Sequence, residues 1–261
     1  MHLNVQRDCF GVALRRTTTL GIRVDSLALA DLRRLIETAA RSSGPVLFTF
    51  ANPASVILAE RDRAYRDLLE KFDIVLPDGI GLCWAIRRLH GFHAARVSFD
   101  TTSLAPLVFE FARQEKMSLA LVGGRPGVAA RAADQVLRAF PGLTIAATLD
   151  GYGDHAAKIS ELNLLNPGIV IAGMGAGAQE RFLVRLTQAG WSGLGFTCGG
   201  YLDQLVHRFL YYPRWIDAAN LRWAYRLVRE PHRLGYRYAV EYPYFVAMLA
   251  LKRSRELAGR G

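Results

Sequence analysis

Cysteine is scarce in this chain of 261 residues, and the three cysteines lie far from one another. Cys9, Cys83 and Cys198 form no C-x-x-C pair, and their number is odd. A disulfide framework or a structural zinc site typically needs cysteines in even number or at short spacing. The sequence therefore indicates neither, and we expect the protein to work in a reducing compartment.

Long apolar runs are also missing. The longest run, residues 242–251, covers about half of the roughly 18 apolar residues that a membrane-spanning helix needs. The first sixteen residues lack the apolar stretch of a secretory signal. We expect a cytoplasmic protein that contacts the inner face of a membrane without crossing it.

Acidic residues at metal-binding spacing are absent as well. None of the thirteen aspartates lies two positions from another, so there is no Asp-x-Asp pair of the kind that can hold Mg²⁺ or Mn²⁺. His90 and His93 lack an evident third ligand, so we interpret them as part of a surface turn. We expect no metal and no other cofactor.

Charge is concentrated at one end of the chain. The formal net charge is +10, and residues 204–261 carry +7 of it, with eleven Lys or Arg against four Asp or Glu. A basic segment on a near-neutral body indicates a local anionic partner, such as phosphate or an acidic membrane surface. We therefore divide the chain into a body, 1–203, and a basic, aromatic-rich helical appendage, 204–261.

The arginines of the appendage recur at helical spacing, although Pro231 should divide the segment into two short helices. Aromatic rings at the headgroup level and arginines on lipid phosphates would hold such helices on a membrane, and a solvated basic face is the alternative. The residues predicted to bind the membrane are Arg214, Trp215, Arg222, Trp223, Arg229, Arg233 and Arg237.

Short apolar runs alternate with helical patterns throughout the body. This alternation predicts an α/β fold, a Rossmann-like, mostly parallel sheet with helices on both faces. Asp25 and Ser26 read as the cap of the first helix. The predicted strands are 46–50, 73–76, 118–122, 143–147, 168–172 and 193–197. The predicted helices are 28–42, 54–71, 80–90, 103–115, 127–139, 155–165 and 178–189.

The turn after each predicted strand is rich in glycine, and two of these turns carry a carboxylate, Asp78 and Asp150. Glycine lets the backbone approach a ligand closely, and the following helix N-terminus favours phosphate. Open α/β sheets bind ligands at the carboxyl ends of their strands, where these turns lie. Any single turn is explained by tight packing alone, but six of them together favour a nucleotide site.

Residues 173–178, GMGAGA, satisfy the dinucleotide fingerprint G-x-G-x-x-G/A. An NAD(P)-dependent oxidoreductase is therefore one alternative. The loop comes after at least four strands, however, and the next strand ends without the ribose-binding acid. Arginines interleaved with aromatics also allow a nucleic-acid-binding protein, but the confinement of the charge to one end argues against nucleic acid.

Four segments, residues 49–91, 121–153, 173–180 and 213–234, resemble the WecG/TagA/CpsF glycosyltransferase family, in order and over about 20–245. The resemblance implies a Rossmann-like core with a C-terminal membrane-binding appendage. It also implies inverting transfer of N-acetylmannosamine, N-acetylmannosaminuronic acid or glucose from UDP to a polyprenyl-diphosphate-linked sugar. The partners would be the UDP-sugar, that acceptor and an anionic membrane surface. Self-association of the chain stays open.

Inverting transfer needs a base for the acceptor hydroxyl and positive charge or oriented dipoles for the leaving diphosphate. Asp78 ends a strand and precedes a glycine, and the resemblance favours it as the base over a helix N-cap. Thr49 and Asn52 resemble family residues that contact donor or acceptor; the alternative is an Asx-type turn before Pro53. The predicted substrate-binding residues are Gly79, Arg96, Gly123, Gly124, Asp150, Gly151, Tyr152, Gly173, Gly175, Gln179, Glu180 and, by resemblance, Arg226.

The chain also departs from the family pattern. Ala54 stands where a glutamate is common, and the loop usually reading G-x-G-S-P-K-Q-E is GMGAGAQE, which keeps Gln179 and Glu180. These departures make an exopolysaccharide-type branch, with a glucosyl donor, as plausible as an N-acetylmannosamine enzyme.

Overall fold

The computed structural model describes residues 5–7, 10–207, 209, 216, 222–229, 235 and 237–258. It begins with a small antiparallel sheet that sequence reasoning missed: β1 (Val5–Arg7), β2 (Ala13–Thr19) and β3 (Ile22–Ser26), in the order β1-β2-β3. Leu20 and Gly21 form the two-residue turn between β2 and β3, both with positive φ, as a tight hairpin of this twist requires.

The cap predicted at Asp25 and Ser26 is wrong. Both residues end β3 and are buried, and the first α-helix, α1 (Leu32–Ala39), begins after a 3₁₀ turn at Leu29–Asp31. The Asp25 carboxylate instead accepts from Arg16 Nε at 2.6 Å and from the main-chain N–H of Val75 at 2.9 Å. The carboxylate that looked like a helix cap therefore forms an ion pair across the hairpin and a hydrogen bond to the main chain at Val75.

The body is built on a parallel sheet of six strands that agrees with the prediction. Its strands are β4 (Val46–Ala51), β5 (Ile74–Pro77), β6 (Ser118–Gly123), β7 (Thr144–Leu149), β8 (Ile169–Gly173) and β9 (Leu194–Thr197), in the order β5-β4-β9-β8-β6-β7. Every residue of β8 is buried, as expected for a strand covered on both faces. The hairpin β2–β3 docks beside β5 through the Asp25–Val75 bond and covers that edge of the sheet.

Helices cover both faces of the parallel sheet. One face carries α1, α5 (Leu104–Gln114), α6 (Val128–Ala139) and α9 (Tyr201–His207). The other carries α2 (Pro53–Arg61), α3 (Arg63–Leu69), α4 (Ile80–His90), α7 (His155–Leu165) and α8 (Ala178–Gln188). The predicted helix 54–71 is in fact two helices, because Asp62 is extended and its carboxylate caps α3 at Tyr65.

The described part of the appendage is helical. It comprises α10 (Arg222–Arg229), a π-helical turn at Arg237–Glu241 and α11 (Tyr242–Ala258). Phe245 and Leu249 of α11 are buried in the same apolar cluster as α2 and α4, so this helix packs on the body. None of the described helices combines the length and hydropathy needed to cross a bilayer.

Candidate active site

The order of the strands predicts a crevice at the carboxyl ends of β4 and β9. The helix after β4, α2, lies on one face of the sheet, whereas the helix after β9, α9, lies on the other. Neighbouring strands whose connections leave in opposite directions open a cleft at their carboxyl ends, the usual ligand position in open α/β sheets. The predicted site residues Thr49, Asn52, Gln179 and Glu180 lie on the elements around this crevice.

A buried carboxyl group organises the floor of the crevice. Glu180, in the first turn of α8, is only 1% exposed. Its Oε1 accepts from the Thr49 hydroxyl at 3.1 Å and from Gln179 Nε2 at 3.0 Å, while Oε2 accepts from the main-chain N–H of Gly177 at 2.6 Å. Burial raises the pKa of this carboxyl group above its usual range, because the charged form is desolvated.

The same network joins the ends of three strands. The Thr49 and Thr197 hydroxyls lie 2.9 Å apart across β4 and β9, and Gln179 Oε1 accepts from the N–H of Gly199 at 3.0 Å. Thr49 is completely buried, so its hydroxyl holds the loop after β8 in place beneath the crevice. Thr197 was missed at the sequence level; a polar residue in the apolar run of β9 was the available signal.

Asn52 caps helix α2, a local structural role that the sequence left open as the alternative to ligand contact. Its side-chain oxygen accepts from the N–H groups of Ala54 at 2.9 Å and Ser55 at 3.2 Å, capping α2. Pro53 occupies the first position of the helix, where its missing N–H is not needed. This cap fixes the position of the Asn52 side chain at the crevice rim.

Asp78 follows β5, the strand beside β4. Its main-chain N–H donates to the carbonyl oxygen of Ala51 at 2.7 Å, and the N–H of Val97 donates to the carbonyl oxygen of Pro77 at 2.9 Å. The second bond brings Arg96 alongside the same strand end. The N-cap position of α4 is occupied by Gly79, with φ +88°, and Asp78 lies one residue before it.

The pKa of the Cys83 thiol, in the first turn of α4, depends on the charged groups near this strand end. This pKa is raised to about 11, first by burial and then by the Asp78 carboxylate, while Arg96 lowers it. Asp78 and Arg96 therefore both lie within electrostatic reach of one thiol. A carboxylate, a guanidinium and the positive end of the α4 dipole therefore lie close together here, a combination that can accept a proton and stabilise a developing negative charge.

The predicted glycine turns at β6, β7 and β8 pack against one another. The N–H of Gly124 donates to the carbonyl oxygen of Gly173 at 3.2 Å, and that of Gly151 to Gly124 at 2.9 Å. A Cβ atom at Gly123 would lie 2.1 Å from the Gly173 oxygen, so close packing explains this glycine. At Gly79 and Gly175, by contrast, a Cβ atom would meet nothing within 4 Å, so positive φ rather than close packing accounts for these glycines.

The Asp150 turn lies far from Asp78. The two strands that precede them, β7 and β5, are the opposite edges of the sheet, and five steps of about 4.8 Å separate them by ~24 Å. Lys158 Nζ donates to the Asp150 carboxylate at 3.0 Å, and this bond is the main cause of the lowered pKa of that group. Tyr152, in the same turn, is exposed. Sequence reasoning placed both carboxylates in one site, whereas the structure separates them.

The predicted residues of the appendage divide into two sets. Arg214, Trp215 and Arg233 lie outside the described residues. The other predicted residues lie within helical segments of the appendage; they are Arg222, Trp223, Arg226, Arg229 and Arg237. Their binding to the membrane or to the donor stays a prediction.

Within the described parts of the chain, no three His, Cys, Asp or Glu side chains come together in a way that could hold a metal ion. His90 lies 3.0 Å from the hydroxyl of Thr19, which is buried in the hairpin, and His93 is exposed. Metal independence stays a prediction.

The chain is similar to known proteins over most of its length. The sequence profile of the glycosyl transferase WecG/TagA/CpsF family matches residues 17–258. A Shigella boydii protein named UDP-Gal:alpha-D-GlcNAc-diphosphoundecaprenol beta-1,4-galactosyltransferase is 30% identical over 219 residues, 83% of this chain and 89% of the relative. Two N-acetylglucosaminyldiphosphoundecaprenol N-acetyl-beta-D-mannosaminyltransferases are also similar. The Bacillus subtilis (strain 168) enzyme is 27% identical over 73% of each chain, and the Bacillus spizizenii enzyme is 26% identical over 90% of each.

Proposed function

Because the chain belongs to the glycosyl transferase WecG/TagA/CpsF family and is a glycosyltransferase, we propose that it transfers a hexose from a UDP-sugar to a saccharide carried on polyprenyl diphosphate. The observation that carries the proposal is the position of Asp78, at the carboxyl end of β5 with Arg96 and the start of α4 beside it. The relatives support neither an oxidoreductase nor a nucleic-acid-binding protein.

The acceptor is proposed from the relatives' names. The Shigella and Bacillus relatives are named for acceptors in which N-acetylglucosamine is linked to diphosphoundecaprenol. An amphipathic acceptor of this kind resides in a bilayer, so the enzyme must work at a membrane surface. The basic appendage, with +7 of the net charge, supports a peripheral position on the inner face of the plasma membrane.

Inversion is supported by the chemistry of the named products. Both kinds of relative form a β linkage, whereas UDP-hexoses carry the diphosphate on the α face. A single in-line displacement at the anomeric carbon therefore accounts for the change from an α-linked donor to a β-linked product. The Asp78 carboxylate would accept the proton of the acceptor hydroxyl as its oxygen bonds to the anomeric carbon and the bond to UDP breaks. Arg96 and the N–H groups at the start of α4 would stabilise the charge that develops on the diphosphate.

The donor sugar is proposed from the relatives' names and from the sequence of the chain. Galactose, named for the Shigella relative, was not among the sugars expected from the sequence, which were N-acetylmannosamine, N-acetylmannosaminuronic acid and glucose. We propose a neutral UDP-hexose, and UDP-galactose joins UDP-glucose among the donors to test. The departures from the family pattern at Ala54 and in the loop 173–180 make an exopolysaccharide-type branch as plausible as an N-acetylmannosamine enzyme, and they support that choice.

A donor panel tests the proposed function. The protein would be incubated with N-acetylglucosaminyl diphosphate on a short prenyl chain and, in turn, with UDP-galactose, UDP-glucose, UDP-N-acetylmannosamine and UDP-N-acetylmannosaminuronic acid. Formation of a disaccharide diphosphate by mass spectrometry, with equimolar UDP release, is expected for one hexose. Thermal stabilisation by NADH but not by UDP, with no transfer from any donor, would refute the proposal.

A further inference from the structure

The helix that follows Asp78 presents an apolar face to solvent. Ile80 is 50% exposed and Trp84 is 42% exposed, and their spacing of four residues places them on one side of α4. The opposite side of the helix is buried against the sheet through Leu82, Ala85, Ile86 and Leu89. Two neighbouring exposed apolar side chains beside the proposed base offer a surface on which the apolar face of a ligand can pack.

Positive charge follows the apolar residues along the same side. Arg88 is four residues beyond Trp84, and its guanidinium carbon lies 5.1 Å from the centre of the Trp84 ring. Arg253 of α11 donates to the main-chain carbonyl oxygen of Arg88 at 3.0 Å and adds a second cation at this end of α4. We call Ile80, Trp84 and Arg88 the α4 ridge.

We propose that the α4 ridge binds the saccharyl diphosphate head of the lipid-linked acceptor; this inference rests on the proposed function. The order of groups along the ridge matches the order in the acceptor. Asp78 meets the reacting hydroxyl, the apolar C–H face of the sugar ring lies on Ile80 and Trp84, and the diphosphate reaches Arg88. Eight residues of helix give ~12 Å from Ile80 to Arg88, enough to accommodate a hexose followed by a phosphate.

The contact between Arg88 and Trp84 supports this assignment. Stacking on the indole holds the guanidinium at a defined place on the ridge, where it can make charge-assisted hydrogen bonds to phosphate oxygens. Beyond Arg88 lies α11, with Arg253 and the exposed Val246 seven residues apart on one side of that helix. The acceptor diphosphate is thus positioned where the appendage meets the body, and its prenyl chain leaves towards the appendage.

Two acceptors with the same sugar test the proposal. One is N-acetylglucosaminyl diphosphate on a short alkyl chain, and the other is a neutral alkyl N-acetylglucosaminide. Trp84→Ala should raise the KM for both acceptors at least tenfold, and Trp84→Phe should restore most of the loss. Arg88→Gln should raise the KM for the diphosphate acceptor alone at least tenfold, so that the preference for diphosphate over the neutral glycoside disappears. The KM for the donor should stay within twofold in each variant.

Matched changes elsewhere control for nonspecific effects. Leu164→Ala removes an exposed apolar side chain from α7, and Arg138→Gln removes an exposed cation from α6; both should leave the two acceptor KM values unchanged. Acceptor KM values within twofold of wild type in Trp84→Ala and Arg88→Gln would overturn the proposal. So would an equal effect of Arg88→Gln on charged and neutral acceptors.

A binding measurement separates this proposal from the proposed function. Equilibrium dialysis of labelled N-acetylglucosaminyl diphosphate against the full chain requires no turnover. If no donor supports transfer while wild type binds the probe and Arg88→Gln does not, the proposed function fails and the α4 ridge stands. If transfer occurs while the variants bind the probe as wild type does, the ridge is wrong and the function stands.

Discussion

The main-chain N–H of Asp78 donates a hydrogen bond to the carbonyl oxygen of Ala51 at 2.7 Å, joining the ends of β5 and β4. This bond places the proposed base next to the Asn52 cap and beside the crevice between β4 and β9. The carboxylate is thus attached to two rigid strands, and a rigid attachment is what a proton acceptor in an in-line displacement requires.

Replacing Asp78 tests its role as the base. Asp78→Asn keeps the shape of the side chain but removes most of its basicity, so kcat should fall by roughly 10²–10⁴. UDP affinity, measured by calorimetry, should change little. The matched control is Asp134→Asn, at an exposed position on α6, which should retain wild-type kcat. Turnover near the wild-type rate in Asp78→Asn would remove this residue as the base.

The thiol of Cys83 provides a test of the local electrostatics. Its pKa of about 11 is raised first by burial and then by the Asp78 carboxylate, whereas Arg96 lowers it. Asp78→Asn should therefore lower the thiol pKa, and Arg96→Gln should raise it. The pH dependence of iodoacetamide labelling at Cys83, followed by peptide mass spectrometry, measures both shifts. Arg185→Gln, on α8, serves as the charge control. Shifts in the reverse directions would contradict the placement of the two charges.

Glu180 predicts a pH dependence of stability. Its folded pKa is raised by burial, so its contribution to stability is complete below its unfolded pKa and is lost as the pH rises through its folded pKa. Glu180→Gln removes this ionisation. The melting temperature of the variant relative to wild type should therefore increase from pH 5 to pH 8. A difference between the two proteins that stays constant, or shrinks, with rising pH would show that burial does not raise the pKa.

Gly123 tests whether the glycine turns serve packing. Gly123→Ala should lower the free energy of unfolding by about 3 kcal/mol, because the new methyl group overlaps the Gly173 oxygen. Gly142→Ala is the control: its φ is also positive, at +87°, but its Cβ atom would meet nothing within 4 Å, so it should cost about 1 kcal/mol. Urea unfolding, with and without UDP, measures the free energy of unfolding of each variant. Equal losses in the two variants would contradict the packing role.

Metal independence is checked most simply with a chelator. The initial rate of UDP release should be the same with and without excess EDTA, because the proposed leaving-group stabilisation comes from Arg96 and the start of α4. A rate lost in EDTA and restored by Mg²⁺ would contradict the prediction. UDP binding measured under both conditions would show whether a lost rate reflects binding or chemistry.

The local pattern of the sequence was sufficient for most of the fold. Apolar runs of four or five residues between amphipathic segments predicted all six parallel strands within about two residues, because the periodicity of a buried strand is a property of neighbouring residues. The hairpin β2–β3 was missed, since its threonines and arginines lack an apolar run and it packs by covering the edge of β5. Asp25 was misread because its partners depend on strand pairing: Arg16 lies opposite it in the hairpin, and Val75 lies on β5.

By itself, the sequence determined the fold class, the family resemblance and the position of Asp78 at the end of a strand. Only the tertiary structure decided which strand ends are neighbours: it brought Thr49 to Thr197 across 148 positions of chain, buried Glu180 against Thr49 and separated the Asp150 turn from Asp78. The physical reason is that strand order depends on burying both faces of the sheet at once. That condition applies to the whole chain, and no local segment encodes it.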